Sequence, residues 1–284
     1  MARLSTTPAD AGQGLLAEPT RASALGSLPS QPSMSDGSSD SPDANAWAFL
    51  GKALDPLRYA NANINTDPRE ASGLIAEFVP MGGRVLDVGC GAGDVALVVQ
   101  ELRRARVVGV EPDAERANLA KRRGIEVIHG YLTSELAETL GRFDAVIFAD
   151  VLEHLADPLP LLRLGCSFLA PRAVAVISVP NVAHWSVRWA LLRGRFDYDE
   201  FGIMDATHLR WFTADSILRW LRNTGLDVHA IRQTAGTNLP VYDRSWPWHS
   251  LNEYRRVCMI RLLARRWPML FGAQHVICAT PQAR

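Results

Sequence analysis

The chain has no excess of one charge. Its 284 residues include 30 Lys and Arg against 30 Asp and Glu, a formal net charge of +0 with His neutral. That balance gives no whole-chain electrostatic reason to bind nucleic acid, and no nucleic-acid partner is expected. Long apolar runs are missing too. Stretches such as Ala173 to Val179 fall far short of the roughly 20 residues that a membrane-spanning helix needs. The start carries no charged-then-apolar pattern to suggest a signal peptide. Cysteine is scarce. Cys90, Cys166, Cys258 and Cys278 are scattered without a C-x-x-C pair, which argues against a zinc or disulfide framework and for reduced thiols in the cytoplasm. Aromatic residues are absent before Trp47. Residues 1–44 are instead dominated by Ser, Pro, Ala and Gly, too little apolar surface to offset their conformational entropy. They are predicted to form a disordered tail ahead of a single domain over 45–284.

What remains is ordinary globular sequence, 48% hydrophobic and 21% charged, which excludes a fibrous or wholly disordered chain. Two helices are predicted before the first strand, over Trp47–Tyr59 and Asp67–Phe78, the second with Asp67 as N-cap and Pro68 at the first helical position. Short runs rich in Val and Ile then predict strands at Arg84–Val88, Val107–Val110, Glu126–His129, Ala145–Phe148 and Val174–Val179. Helical stretches near Asp94–Arg104, Ala114–Arg123, Ser134–Leu140 and Leu159–Leu169 separate them. This alternation predicts an α/β fold, a mostly parallel sheet flanked by helices on both faces. After Val179 the alternation breaks. An aromatic stretch runs from Asn181 to Trp211, followed by a helix at Thr213–Asn223 with Thr213 as N-cap and Gly225 past its end. A strand near Val228–Arg232, a second irregular stretch from Thr237 to Leu270 and a last strand at His275–Ala279 complete the pattern.

The informative segment is Val85-Leu-Asp-Val-Gly-Cys-Gly-Ala-Gly-Asp94, a strand running into three alternate glycines and then a helix. Glycines there allow positive φ and close approach of a ligand to the main chain, and the end of the first strand is where open α/β sheets bind ligands. The second strand ends at Glu111, about 20 residues on, where a carboxylate can accept both ribose hydroxyls. A dinucleotide site wants G-x-G-x-x-G; here the last position of that pattern is Asp94, and Asp87 adds negative charge before the turn. Two carboxylates suit a cation with an amino-acid tail better than a pyrophosphate.

This pattern resembles the S-adenosylmethionine site of class I methyltransferases. Two further segments match, Gly141-Arg-Phe-Asp-Ala-Val-Ile-Phe-Ala-Asp150-Val-Leu-Glu153-His154-Leu-Ala-Asp-Pro158 at the fourth strand and Val176-Ile-Ser-Val-Pro180-Asn181 at the fifth. The resemblance implies a Rossmann-like seven-stranded sheet with an antiparallel last strand and inserts after strands five and six. It also implies S-adenosyl-L-methionine as cofactor. Asp87, Gly89, Cys90, Gly91 and Gly93 would then hold the methionine end, Glu111 and Pro112 the ribose, and Asp150 and Val151 would lie beside the methionine. Many members carry an acid after the third strand; here Gly130-Tyr-Leu-Thr-Ser134 has none, so adenine is expected against apolar and main-chain groups around Tyr131 and Leu132.

The Val-Leu-Glu153-His154 setting and Asp205-Ala-Thr-His208-Leu-Arg-Trp-Phe-Thr213 resemble the branch with ubiquinone-pathway O-methyltransferases and enzymes of polysaccharide and natural-product genes. In that branch an acid, an acid and a His are linked to a divalent cation; the matching positions are Asp150, Glu153 and His154. The simpler reading gives Glu153 and His154 a helix-capping role and assigns no metal. His208 is the expected general base, since His titrates near neutrality, with His184 as second choice. The implied activity is O-methylation of a small-molecule, sugar or lipid-linked acceptor. The alternatives are a nicotinamide-dependent oxidoreductase and a non-catalytic subunit that keeps the cofactor fold. The aromatics from Trp185 to Phe212 would line an acceptor pocket or form the insert's own core. Arg255, Arg256, Arg261, Arg265 and Arg266 fall on one helix with Val257, Ile260, Leu263 and Trp267 between them. They would either touch an anionic membrane or a phosphorylated acceptor, or form a solvated face over a packed one.

Overall fold

The structure is a computed structural model that describes residues 66–282. The tail over 1–44 and the helix expected at Trp47–Tyr59 lie outside the described residues. The strands are β1 (Arg84–Val88), β2 (Arg106–Glu111), β3 (Glu126–His129), β4 (Phe143–Ala149), β5 (Leu169–Pro180), β6 (Leu226–Gln233) and β7 (Gln274–Pro281). They form one sheet in the order β3-β2-β1-β4-β5-β7-β6. The first five are parallel, and β7 runs antiparallel between β5 and β6. The seven-stranded sheet, its antiparallel strand and both inserts are as predicted.

Side chains alternate across each strand, so the sheet buries two cores. One face takes α1 (Ala71–Phe78), α2 (Asp94–Arg103) and α3 (Ala114–Arg122), whose Ile75, Val99 and Ala117 pack with Val85 and Ile147. The other takes α4 (Leu136–Leu140), α5 (Leu159–Cys166) and α7 (Ala214–Asn223); Leu162, Ile217 and Leu221 pack there with Leu86, Phe148 and Ile177. Each Val, Leu, Ile or Phe among them contributes about 1.5–3 kcal/mol by leaving water. The inserts carry α6 (Trp185–Leu192) before α7, and α8 (Val241–Arg244), α9 (Glu253–Arg266) and α10 (Pro268–Phe271) before β7.

Two boundaries differ from expectation for tertiary reasons. Helix α1 begins at Ala71, not at Asp67. Asp67 instead closes a turn, its carbonyl accepting from Glu70 N, and its carboxylate pairs with Arg69 and, from α9, Arg261. Helix α5 ends at Cys166, because Phe168 O accepts from Phe143 N and Leu169 pairs with Phe143, drawing the chain into β5. At α7 Thr213 caps as predicted, in a capping box with Ser216.

Candidate functional site

The turn after β1 is held from the neighbouring strand. Gly89 N and Cys90 N both donate to Val110 O, at 2.8 and 3.2 Å. Gly91 has φ +56, and among the described residues nothing lies within 4 Å of where a Cβ would stand. Gly89 is close-packed instead: a Cβ would lie 2.8 Å from Val151 Cγ2, which makes Val151 a wall of the turn. Cys90 turns inward. Its sulfur sits where a Cβ on Gly109 of β2 would stand, 2.4 Å away, so Gly109 provides its seat. Burial, with Asp87 and Glu111 adding, pushes this thiol far up, leaving it uncharged. Cys90 therefore serves the turn by packing and through its main chain. Gly93 begins α2 against Ile125 and Ala120.

Glu111 ties the two strand ends together. One carboxylate oxygen accepts from Gly91 N at 2.8 Å and the other from Asp113 N at 2.9 Å. Asp87 is the opposite case. It shares the Val85 face of β1, is 1% exposed, and neither carboxylate oxygen has a hydrogen-bond partner among the described residues. Burial first, and the Glu111 charge second, raise its pKa to about 7. Pro112 is exposed at the tip of β2, and its carbonyl lies 3.2 Å from His129 Nε2. Beyond β3, Leu132 is buried while Tyr131 stands exposed.

Asp150, after β4, has φ +53, a conformation that β-carbon sterics disfavour outside glycine. Its carboxylate accepts from Ser178 Oγ at 2.9 Å and Gln274 Nε2 at 2.8 Å, and its amide lies 3.1 Å from Ser178 Oγ. Burial raises its pKa, and these bonds oppose the rise. Ser178 and Gln274 were missed in the sequence. Ser178 left a signal, a hydroxyl inside an apolar strand; Gln274 left none.

Glu153 and His154 do not cap the following helix. Asp157 Oδ1 accepts from Leu159 N there, and Pro158 occupies the N-cap position. Glu153 is fully buried with both carboxylate oxygens unpartnered, and burial, with Asp150 and Asp205 adding, raises its pKa well above the carboxylate range. Its carbonyl accepts from Leu209 N and Arg210 N, which fastens the segment carrying His208. The rings of His154 and His208 meet edge-on, centroids 4.9 Å apart. One ligand atom each of Glu153, His154 and His208 lies within 4.8 Å of the other two. Asp150 is not part of this group. His208 is buried, and its Nδ1 lies 3.1 Å from Ile203 O, which puts the proton on Nδ1 and the lone pair on Nε2.

His184, the second choice for a base, is structural. It bonds Ser186 and Tyr242 OH, caps α6, and burial lowers its pKa to about 3. The aromatics divide as expected. Trp185 packs with Tyr242 and Trp248 and also joins Trp189, Phe196 and Phe201 in lining a cavity of about 520 Å³ that meets Ile203 and Met204.

A family model described as a methyltransferase domain matches residues 63–231. The chain belongs to that family. The methyltransferase domain's methyl donor is S-adenosylmethionine. The chain is 32% identical over 163 residues to the ubiquinone biosynthesis O-methyltransferase of Ruegeria pomeroyi, 51% of this chain and 60% of that one. It is 28% identical over 206 residues to the enzyme of the same name from Xanthomonas axonopodis pv. citri, 66% and 78%. The match thus spans less than two thirds of the Ruegeria relative. A chain of the complex between the Haloferax volcanii Trm112 methyltransferase activator and a methyltransferase superposes with a TM-score of 0.51 at 18% identity, covering 76% of this chain and 90% of that one. This last likeness is one of fold. Among the described residues no helix is long and apolar enough to cross a membrane.

Proposed function

We propose that this chain, acting through a domain spanning 45–284, transfers the methyl group of S-adenosylmethionine to a hydroxyl oxygen of a small-molecule, sugar or lipid-linked acceptor. Asp87 carries the reading. A buried carboxylate with no partner is costly unless a ligand brings it a cation, and among the described residues both its oxygens are unpartnered beside a glycine turn open at Gly91. A sulfonium with an α-ammonium tail fits that charge; a pyrophosphate does not, which disfavours the nicotinamide alternative. Glu111, with Pro112 beside it, receives the ribose hydroxyls, Leu132 the adenine, and Asp150 and Val151 wall the methionine end. Cys90 and Gly93 keep the turn in shape.

The bound donor supplies an electrophilic methyl. Displacement is in line, so the chain's main task is to hold the acceptor oxygen aligned and dry. His208 takes the hydroxyl proton at Nε2, with Ile203 O fixing its tautomer. The methyl passes to oxygen and the thioether leaves. Buried Glu153, whose raised pKa favours the neutral acid, lies beside both imidazoles, and a cation formed there would favour its ionised form. The same three side chains favour a second reading, because a carboxylate and two imidazoles suit a divalent cation that would polarise the acceptor hydroxyl. Turnover sensitive to EDTA would select it. The cavity beside Ile203 receives the apolar part of the acceptor. Four free cysteines support a cytoplasmic setting.

The test is transfer of radiolabelled methyl into cell extracts and identification of the product. Label in an O-methyl group, lost in His208→Gln, supports the proposal; label on nitrogen or carbon, or no label, overturns it.

A further inference from the structure

We propose that the outer face of α9, with the turn after it, seats the protein on an anionic lipid bilayer. At about 100° per residue, Tyr254, Arg255, Cys258, Met259, Leu262, Arg265 and Arg266 occupy one arc of this helix, and all seven are exposed. The inner arc packs on the protein: Ile260 is buried with Tyr242 and Trp248, and Ala264 is buried beside it. The helix's other two arginines are engaged there, Arg256 with Asp243 at 2.8 Å and Arg261 with Asp67.

The apolar residues on the outer arc decide between the two sequence readings. A merely solvated basic face would keep its apolar side chains inward. Here Leu262 is 64% and Met259 41% exposed, and Trp267 and Met269 continue the patch at 49% and 44%. Three arginines sit among them without an acid, since Glu253, the one acid of α9, falls on the opposite arc. This combination is the composition of an interfacial helix: apolar groups enter below the headgroups while long basic side chains extend back to the phosphates. Arg266 stacking over Trp267 at 5.2 Å adds the aromatic partner common at such boundaries. The lack of an acid on this arc of α9 selects an anionic bilayer over a neutral one. This inference does not depend on the proposed reaction.

The test uses the full chain and vesicles of phosphatidylcholine alone or mixed equally with phosphatidylglycerol. Sedimentation with the mixed vesicles alone, weakened by salt, is expected. Each arginine near an anionic surface contributes about fivefold, so a triple change of Arg255, Arg265 and Arg266 to Gln weakens binding about a hundredfold. Leu262→Asp is expected to abolish it without lowering the melting temperature. Cys258 is the exposed cysteine of the four; in a Cys166→Ser background, a polarity-sensitive dye on it should shift to the blue with mixed vesicles. No sedimentation, equal sedimentation with neutral vesicles, or an unaffected triple variant overturns the proposal. So does lipid-free self-association lost in Leu262→Asp, which would assign the face to a second copy of this chain, and vesicle binding that appears only after residues 1–65 are removed, which would assign it to that segment.

Discussion

Residues 66–180 and 181–273 are built by different rules. In the first, strands and helices follow one another closely, and each buries a stripe set by its own period, as Leu86 and Val88 do on one face of β1 and Val85 on the other. In the second, the ties join residues 58 to 194 positions apart: Asn181 Nδ2 donates to Gly272 O at 2.8 Å, His184 Nε2 meets Tyr242 OH at 3.1 Å, and Arg261 pairs with Asp67. The lesson is a division of labour. Local pattern builds the region of the glycine turn, long-range polar contacts tie the inserts together, and the proposed chemistry lies near their join, where Glu153 fastens the segment carrying His208.

The sharpest break in that comparison should come at the join. His208→Gln is expected to lower methyl-transfer turnover by about 10²–10⁴ while leaving the affinity for S-adenosylhomocysteine unchanged. Single-turnover kinetics alongside calorimetry measures both. A parallel loss of affinity would place His208 on the cofactor side.

A smaller effect tests the cofactor side through pH. Burial holds the Asp87 carboxyl near a pKa of about 7 in the folded chain, against an ordinary value of 3.8. The raised value means that the folded state prefers the neutral form. Stability is therefore fullest below the unfolded value and declines as pH rises from there toward about 7. The ligand's α-ammonium pairs with the carboxylate form, so affinity for S-adenosylhomocysteine should fall as pH drops below about 7, by up to about tenfold per unit. Calorimetry across pH should find this slope in the wild type and not in Asp87→Asn. The same slope in both would assign the titration elsewhere.

The smallest effect belongs to the acceptor side. Tyr242→Phe removes the hydroxyl that meets His184 and accepts from Trp185 Nε1 at 3.3 Å. It should cost about 1–3 kcal/mol of stability, read by chemical denaturation, and leave cofactor affinity intact. Weaker cofactor binding in this variant would blur the division between the two regions.

How far the sequence could be read follows the same line. The strand positions, the glycine turn and Glu111 were legible because periodicity and spacing are local. The capping role expected of Glu153 and His154 was not borne out, since it rested on their nearness to α5 in sequence, whereas their side chains turn toward His208, more than 50 residues on. The bonds to Ser178 and Gln274 that hold Asp150 with φ +53 depend on a strand pairing that no local pattern announces. The outer face of α9 was legible in its arginines and not in its exposure, because which arc a helix buries is decided by what packs against it.

The central claim is that the turn after β1, clamped by Glu111, holds the adenosine of a sulfonium donor. Calorimetric titration of S-adenosylhomocysteine into the wild type and Glu111→Ala tests it most directly. The account predicts binding to the wild type, no binding of NAD, and about a hundredfold weaker binding to a variant that still folds, as loss of charge-assisted hydrogen bonds implies. Equal dissociation constants for the two proteins, or no binding to either, would contradict it.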